Sequence, residues 1–229
     1  QTARFILKFS TSIVAVAAIV LAIVLMIHGM GPMQSFFQGI WLSISSFMTV
    51  GLVHQSGGVT YYHSLTLEFV LMVLMLLGSI NFALQSEVLR GRVRAFLRDT
   101  EIHTAVIWMT FGLVIFICSI AGSALLKGLP ALMRSGLFTF IAATTTCGLQ
   151  IVDSDQMITV FQSGLFVLAI AMAIGGCSGS TAGGIKLRRI AIIAKSAFET
   201  MKSTASPDSA RIVTSYYHIG RRRLESSEV

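Results

Sequence analysis

Apolar residues run through this chain in long blocks rather than in alternation. Phe9 to Ile27 carries no charge and is rich in Val, Ile, Ala and Leu. Leu67 to Leu84 carries only Glu68, near its start. Thr104 to Leu126 is uncharged over 23 residues, and Gln156 to Ile185 over 30, with glycines interrupting it late. A helix crossing the hydrocarbon of a bilayer needs about 20 such residues, so the pattern predicts four membrane spans. Two shorter apolar stretches lie between them. Met33 to Met48 follows Pro32, and Ala131 to Thr146 follows Pro130; each has 16 residues, and the second contains Arg134. Proline suits the first turn of a helix, and each stretch ends in a Thr/Gly segment. Both read as re-entrant helices leading into irregular backbone, which is tolerated at membrane depth where it is buried in protein or lines a watery cavity. Amphipathic helices lying at the interface are the alternative.

Composition agrees with lipid as the main solvent. Of 229 residues, 54% are hydrophobic and 12% charged, with a mean hydropathy of +0.79; a soluble domain carries about 25% charge. The net charge of +7 does not point to nucleic acid. Of 17 Lys and Arg, only Lys127 and Arg134 fall outside the clusters at 4–8, 90–98 and 186–223. Four crossings put all three clusters on one side, which the positive-inside rule makes cytoplasmic, together with both ends of the segment. Cys118, Cys147 and Cys177 match no metal spacing and read as small packing residues. The absence of an initiator Met suggests an excerpt of a longer protein.

The chain repeats itself. A constant shift of 97 residues carries Gly39 onto Gly136, Thr49 onto Thr146, Gly51 onto Gly148, Leu52 onto Leu149 and Gly78 onto Gly175. It also superimposes the first span on the third and the second on the fourth. The expected fold is an all-α membrane protein made of two tandem membrane–pore–membrane repeats with re-entrant pore helices and a broken last span. The first repeat covers 1–100, the second 101–200, and 201–229 is a basic cytoplasmic tail or linker. Copies separated by an even number of crossings share one orientation, as parallel repeats do.

Two segments carry the candidate chemistry. The first short helix ends in Thr49-Val50-Gly51 and the second in Thr146-Cys147-Gly148. A cation filter replaces a hydration shell with carbonyl and hydroxyl oxygens, and glycine permits the backbone that aims successive carbonyls at one axis. A plain structural turn is the alternative. The second segment is Gly175-Gly176-Cys177-Ser178-Gly179-Ser180-Thr181-Ala182-Gly183-Gly184. Five glycines in ten residues predict a break in the fourth span, suited to a gate beneath a filter; close packing through small residues is the other reading. The aligned Gly78-Ser79-Ile80-Asn81-Phe82 is poorer in glycine, so the copies are expected to differ in this role. A phosphate loop is excluded because Ile185 stands where its lysine should be. A Gly-x-Ser-Gly intramembrane protease is disfavoured because every histidine lies at a span end or in a loop. Asp153 and Asp155 could concentrate cations at an outer mouth or belong to a solvated loop. Glu68 and Glu87 read as interfacial, Trp41 and Trp108 as packing or interface aromatics, and Arg90, Arg92, Arg94 and Arg98 as topology determinants that touch lipid headgroups.

Together these stretches resemble the Trk/Ktr/HKT superfamily of potassium transporters, above all in Gly175–Lys186, where Ser178 replaces an alanine of the family run. Phe47–Leu52, Met75–Phe82 with Leu89-Arg90-Gly91-Arg92, Leu97-Arg98-Asp99 and Ala143–Leu149 are similar as well. The resemblance implies four membrane–pore–membrane repeats around one pore, of which this chain would supply the second and third. It implies Gly51 and Gly148 as filter glycines and Gly175–Gly184 as an intramembrane gating loop. Potassium would be the transported ion, with no cofactor and no enzymatic step. The partners it implies are inner-membrane lipid, the remaining pore repeats from the same chain or a second copy, a homodimer mate, and a cytoplasmic nucleotide-binding regulatory subunit; nucleic acid is not among them. A sodium or mixed-cation carrier and a non-conducting scaffold or regulatory subunit are the competing expectations.

Overall fold

The computed structural model describes residues 2–55, 57–62, 64–121, 128–152, 161–204, 215–217 and 221–223. Asp153, Asp155 and Lys127 lie outside these. The opening apolar block forms α1 (Thr2–Ile27), and α2 (Pro32–Phe47) turns back against it. Pro32 occupies the first turn of α2, where its missing N–H costs nothing. Gly39 sets the approach of the two helices: a Cβ there would lie 2.7 Å from the Ala18 carbonyl oxygen.

A 3₁₀ turn (Gly58–Tyr62) leads to α3 (Leu65–Ser79), whose N-cap Ser64 accepts a bond from the Leu67 N–H. The second expected span then fails to run on to Leu84. It stops at Ser79, and α4 (Phe82–Leu89) leaves at 102°. Asn81 drives the break by capping α4, its side chain accepting the Ala83 N–H at 2.8 Å. After the short α5 (Val93–Leu97), Asp99 caps α6 (Thr100–Ile120) by accepting the Glu101 N–H at 2.8 Å.

The second half follows the same plan. The helix α7 (Leu129–Thr144) packs on α6 and on α3. A 3₁₀ turn (Gln162–Gly164) opens α8 (Leu165–Ile174), which has only 10 residues because Gly175 ends it at φ +71°. The fourth expected span is therefore short, as α3 is, and the two end within two residues of positions related by the 97-residue shift. After the glycine-rich segment comes α9 (Leu187–Thr204). The chain departs from all-helical structure in a small antiparallel pair, β1 (Ser215–Tyr217) with β2 (Arg221–Arg223), within the segment expected to be a basic tail.

Each half has a core of its own. Leu21, Leu25, Leu42, Leu67, Leu71 and Met75 fill the first, and Phe116, Phe140, Phe161, Leu168 and Ala171 the second. The helix α7 serves both, giving Phe138, Ile141 and Ala142 to one and Phe140 and Ala143 to the other. The outer faces are apolar and uncovered: Val16, Ile19 and Ile23 on α1, and Val106, Ile107, Phe111 and Val114 on α6. Among the described residues α1 and α6 are each long and apolar enough to cross a membrane alone, and the bent α3–α4 pair counts as a third span if taken together.

Candidate functional site: two Thr-x-Gly turns and the glycine-rich break

The two short helices end alike, bond for bond. After α2 the Met48 N–H donates to Ile44, Thr49 to Ser46, and Val50 and Gly51 both to the Ser45 carbonyl, at 2.8 and 3.4 Å for the last pair. After α7 the Thr145 N–H donates to Ile141, Thr146 to Ala143, and Cys147 and Gly148 both to Ala142, at 2.9 and 3.3 Å. Every donor and acceptor is displaced by 97 residues. The backbone signs match as well. Thr49 and Thr146 sit at φ +51° and +55°, and Gly51 and Gly148 at +76° and +81°, while Val50 and Cys147 between them are not left-handed. A β-branched residue rarely adopts positive φ; two threonines doing so at equivalent positions is a cost of about 1–3 kcal/mol each that the surroundings must hold.

The helix turns leading into these residues are tied by buried hydroxyls: Ser43 donates to the Gly39 carbonyl, Ser46 to Leu42, Thr144 to Phe140 and Thr145 to Ile141, all at 2.7–2.8 Å. The Leu52 carbonyl, just past the first turn, receives the Ser45 hydroxyl at 2.7 Å and the Trp41 indole N–H at 3.1 Å. Trp41, expected as a packing or interface aromatic, stands one helical turn from Ser45 on α2, the signal that both can serve one carbonyl. The turns touch each other on one side. A Cβ on Gly51 would lie 1.9 Å from the Cys147 carbonyl oxygen, whereas one on Gly148 meets nothing within 4 Å among the described residues.

The glycine-rich break lies against both turns. Thr181 donates its hydroxyl to the Phe47 carbonyl at 3.1 Å and the Gly78 carbonyl at 2.9 Å, and its N–H also goes to Gly78. The Gly183 N–H donates to the Thr146 hydroxyl at 2.6 Å. Cys177 N–H reaches the Ser79 carbonyl at 3.0 Å. The broken end of α3 is thereby satisfied: Leu77 and Ile80 carbonyls take the Gln85 side-chain amide, and Gly78 and Ser79 take the loop. Buried backbone groups need such partners, and here they are supplied across the two halves of the chain. The loop closes on itself where Gly175 and Gly184 meet, a Cβ on Gly184 lying 2.7 Å from the Gly175 Cα. Lys186, at φ +81°, donates its ammonium to the Ala182 carbonyl. Cys177 and Ala182 are buried, and Gly183 and Gly184 are exposed.

Three acidic residues sit differently from expectation. Glu68 and Glu87 are buried, at 5% and 7% exposure, rather than interfacial. Arginines account for both: Arg134 grips Glu68 with two bonds of 2.7 and 2.5 Å, tying α7 to α3, and Arg90 and Arg92 reach Glu87 at 3.4 and 3.1 Å. Glu101 escaped the sequence reading altogether; it is 2% exposed and accepts the Ser178 N–H at 2.5 Å. Among the described residues no trio of His, Cys, Asp or Glu is grouped to hold a metal ion. The oxygens on offer at the turns are carbonyls and threonine hydroxyls.

Fold and site define an all-α membrane protein in which two short helices deliver Thr-x-Gly turns to a glycine-rich break. The chain belongs to the TrkH family of cation transport proteins, which matches residues 2–227. It is 29% identical over 182 residues to the Trk system potassium uptake protein TrkH of Salmonella typhimurium, covering 76% of this chain and 35% of that protein. The potassium/sodium uptake protein NtpJ of Enterococcus hirae is 28% identical over 200 residues, covering 82% of this chain and 42% of that one. The fold matches the crystal structure of the potassium transporter TrkH from Vibrio parahaemolyticus with a TM-score of 0.72 and 20% identity, over 86% of this chain and 42% of that one. The chain spans little more than a third of the length of the curated relatives it matches.

Proposed function

We propose that this chain supplies two walls of a potassium uptake pore in the inner membrane. Thr49, Val50, Gly51 and Thr146, Cys147, Gly148 form its part of the filter, and Gly175–Gly184 forms the gate. One observation carries the reading: two abutting turns with the same left-handed Thr and Gly, and a non-left-handed residue between, at a fixed spacing of 97 residues. Alternating handedness turns successive carbonyls toward a common side, the arrangement by which a filter replaces water around a cation. The relatives named potassium uptake proteins supply the ion. The loop's bonds to Thr146 and to the carbonyl of Phe47, which precedes the first turn by two residues, support a gate close to the filter.

The remaining walls come from further copies of the unit, in the same native chain or a second one. Basic residues at 4–8, 90–98 and 186–223 put both ends of this segment in the cytoplasm. A homodimer mate and a cytoplasmic nucleotide-binding regulatory subunit are the partners the family resemblance adds. A mixed-cation pore is the second reading, favoured by the relative named for potassium and sodium uptake.

The test is Gly148→Ser in the complete pore, assayed as ion flux in proteoliposomes. A Cβ meets no neighbour there among the described residues but strains a backbone at φ +81°, so the expected outcome is a K⁺-over-Na⁺ preference lowered about tenfold, a change of about 1.4 kcal/mol in relative ion binding. An unchanged ratio overturns the filter assignment. Complementation of a potassium-uptake-deficient strain at low K⁺ separates a transporter from a non-conducting scaffold.

A further inference from the structure

The glycine-rich loop has a second anchor that the filter does not explain. Its tip is bonded to the carboxylate of Glu101, which reaches the Ser178 N–H from the first turn of α6. Glu101 is buried at 2% exposure and its neighbour Asp99 at 0%. A carboxylate is costly to bury unless it is hydrogen-bonded, and a charge-assisted bond is about twice as strong as a neutral one. The loop's other anchors, Thr181 on Phe47 and Gly78 and Gly183 on Thr146, join it to neutral carbonyl and hydroxyl oxygens. The Lys186 ammonium bonds Ala182 from the segment's own flank, so Glu101 is the charged hold that reaches in from another helix on a segment whose glycines make it otherwise easy to move.

The bond also connects the loop to a particular place. Asp99 caps α6 and follows directly on α5 and the arginine-bearing elbow of Arg90, Arg92, Arg94 and Arg98. The Asp99 N–H is bonded to the Phe96 carbonyl and the His103 ring to the Leu97 carbonyl, so hydrogen bonds tie α5 to the first turn of α6. Phe96 also lines a cavity of about 330 Å³ together with Gly175, Gly176 and Cys177, which leaves the loop room to shift toward the elbow.

From this geometry we infer that Glu101 is a positioning residue that latches the Gly175–Gly184 loop in its closed place, and that displacement of the basic elbow releases it. The inference rests on the loop being a gate. In the complete transporter, Glu101→Ala removes the acceptor, and Glu101→Gln keeps an acceptor oxygen of the same reach without its charge.

The expected result is K⁺ flux into proteoliposomes raised at least fivefold by Glu101→Ala and by a smaller factor by Glu101→Gln, with the K⁺/Na⁺ ratio unchanged. In parallel, a Ser178→Cys reporter is modified at least tenfold faster by a water-soluble thiosulfonate when Glu101→Gln is present. A merely structural role for Glu101 would lower flux and disturb the ratio. If Glu101→Ala does not give a monodisperse protein, Glu101→Gln and the reporter decide. Deletion of Gly176–Gly183 separates the two ideas. Raised flux on deletion, with flux at or below wild type and an unchanged reporter rate in Glu101→Gln, overturns the latch and spares the gate. No rise on deletion overturns both.

Discussion

Thr49 and Thr146 show what a single side chain is asked to do in this molecule. Each takes a left-handed backbone that glycine would adopt at no steric cost. At Thr146 the hydroxyl accepts the Gly183 N–H, an anchor glycine could not provide. The glycines nearby divide into two kinds. Gly148 is required by its φ of +81° alone, while Gly78 is required by space: its Cβ would lie 2.0 Å from the Phe47 carbonyl oxygen and 3.0 Å from the Thr181 hydroxyl. Since the first of those atoms is backbone, Gly78→Ala must push α2 away from α3 and break the Thr181 anchor. It should cost about 1–3 kcal/mol, the usual range for overpacking, read as a lowered melting midpoint in detergent. An unchanged midpoint would contradict the close approach described here. The 97-residue spacing marks Gly78 and Gly148 out from sequence, but which is held by sterics and which by conformation depends on neighbours that lie far along the chain.

At the scale of elements, the break in α3 is the main departure from the hydrophobic pattern. Apolar residues continue past Ser79 through Ile80, Phe82, Ala83 and Leu84, so hydropathy alone extends the span. Asn81 competes by capping a new helix, and the carbonyls freed at the bend are met by Gln85 and by the loop from the other half. Because the loop supplies those partners, the glycine-poor first copy breaks within two residues of the position equivalent to the glycine-rich second copy's break. The Glu68–Arg134 pair is another tie between halves, joining positions 66 residues apart with no periodic signal. Arg134→Met leaves a buried carboxylate unpaired. Fully buried pairs lose 3–5 kcal/mol on such a change, but the arginine side chain is 43% exposed, so a loss of about 1–2 kcal/mol is expected. Glu68→Gln/Arg134→Met should cost less than the two single changes added together. Additive melting shifts across that cycle would show that the pair is not coupled.

For the whole molecule the arrangement of charge against lipid is decisive. With α1 and α6 presenting apolar faces outward and arginines concentrated at 90–98, the orientation proposed above puts the elbow in the cytoplasm and the 3₁₀ turn at Gly58–Tyr62 outside. A thiol introduced by Arg94→Cys should react with an impermeant maleimide in inside-out vesicles, and one introduced by Gly57→Cys in right-side-out vesicles; the reverse pattern would invert the topology. Chain order by itself determined the α-helical membrane class, the end of α1 at Ile27, and the start of the two short helices at Pro32 and beside Pro130. Each of these follows from local chemistry: apolar length, and the tolerance of proline in a first helical turn. The tertiary structure decided where α3 stops, because a helix end is set by what satisfies its last carbonyls, and the Gly78 and Ser79 carbonyls are met by Thr181 and Cys177 from the other half of the chain, whereas the glycine run that ends α8 is local. It also decided that Glu68, Glu87 and Glu101 are buried. A carboxylate's depth depends on whether an arginine or an N–H is waiting there, and only the folded chain brings Arg134 to Glu68 and Ser178 to Glu101.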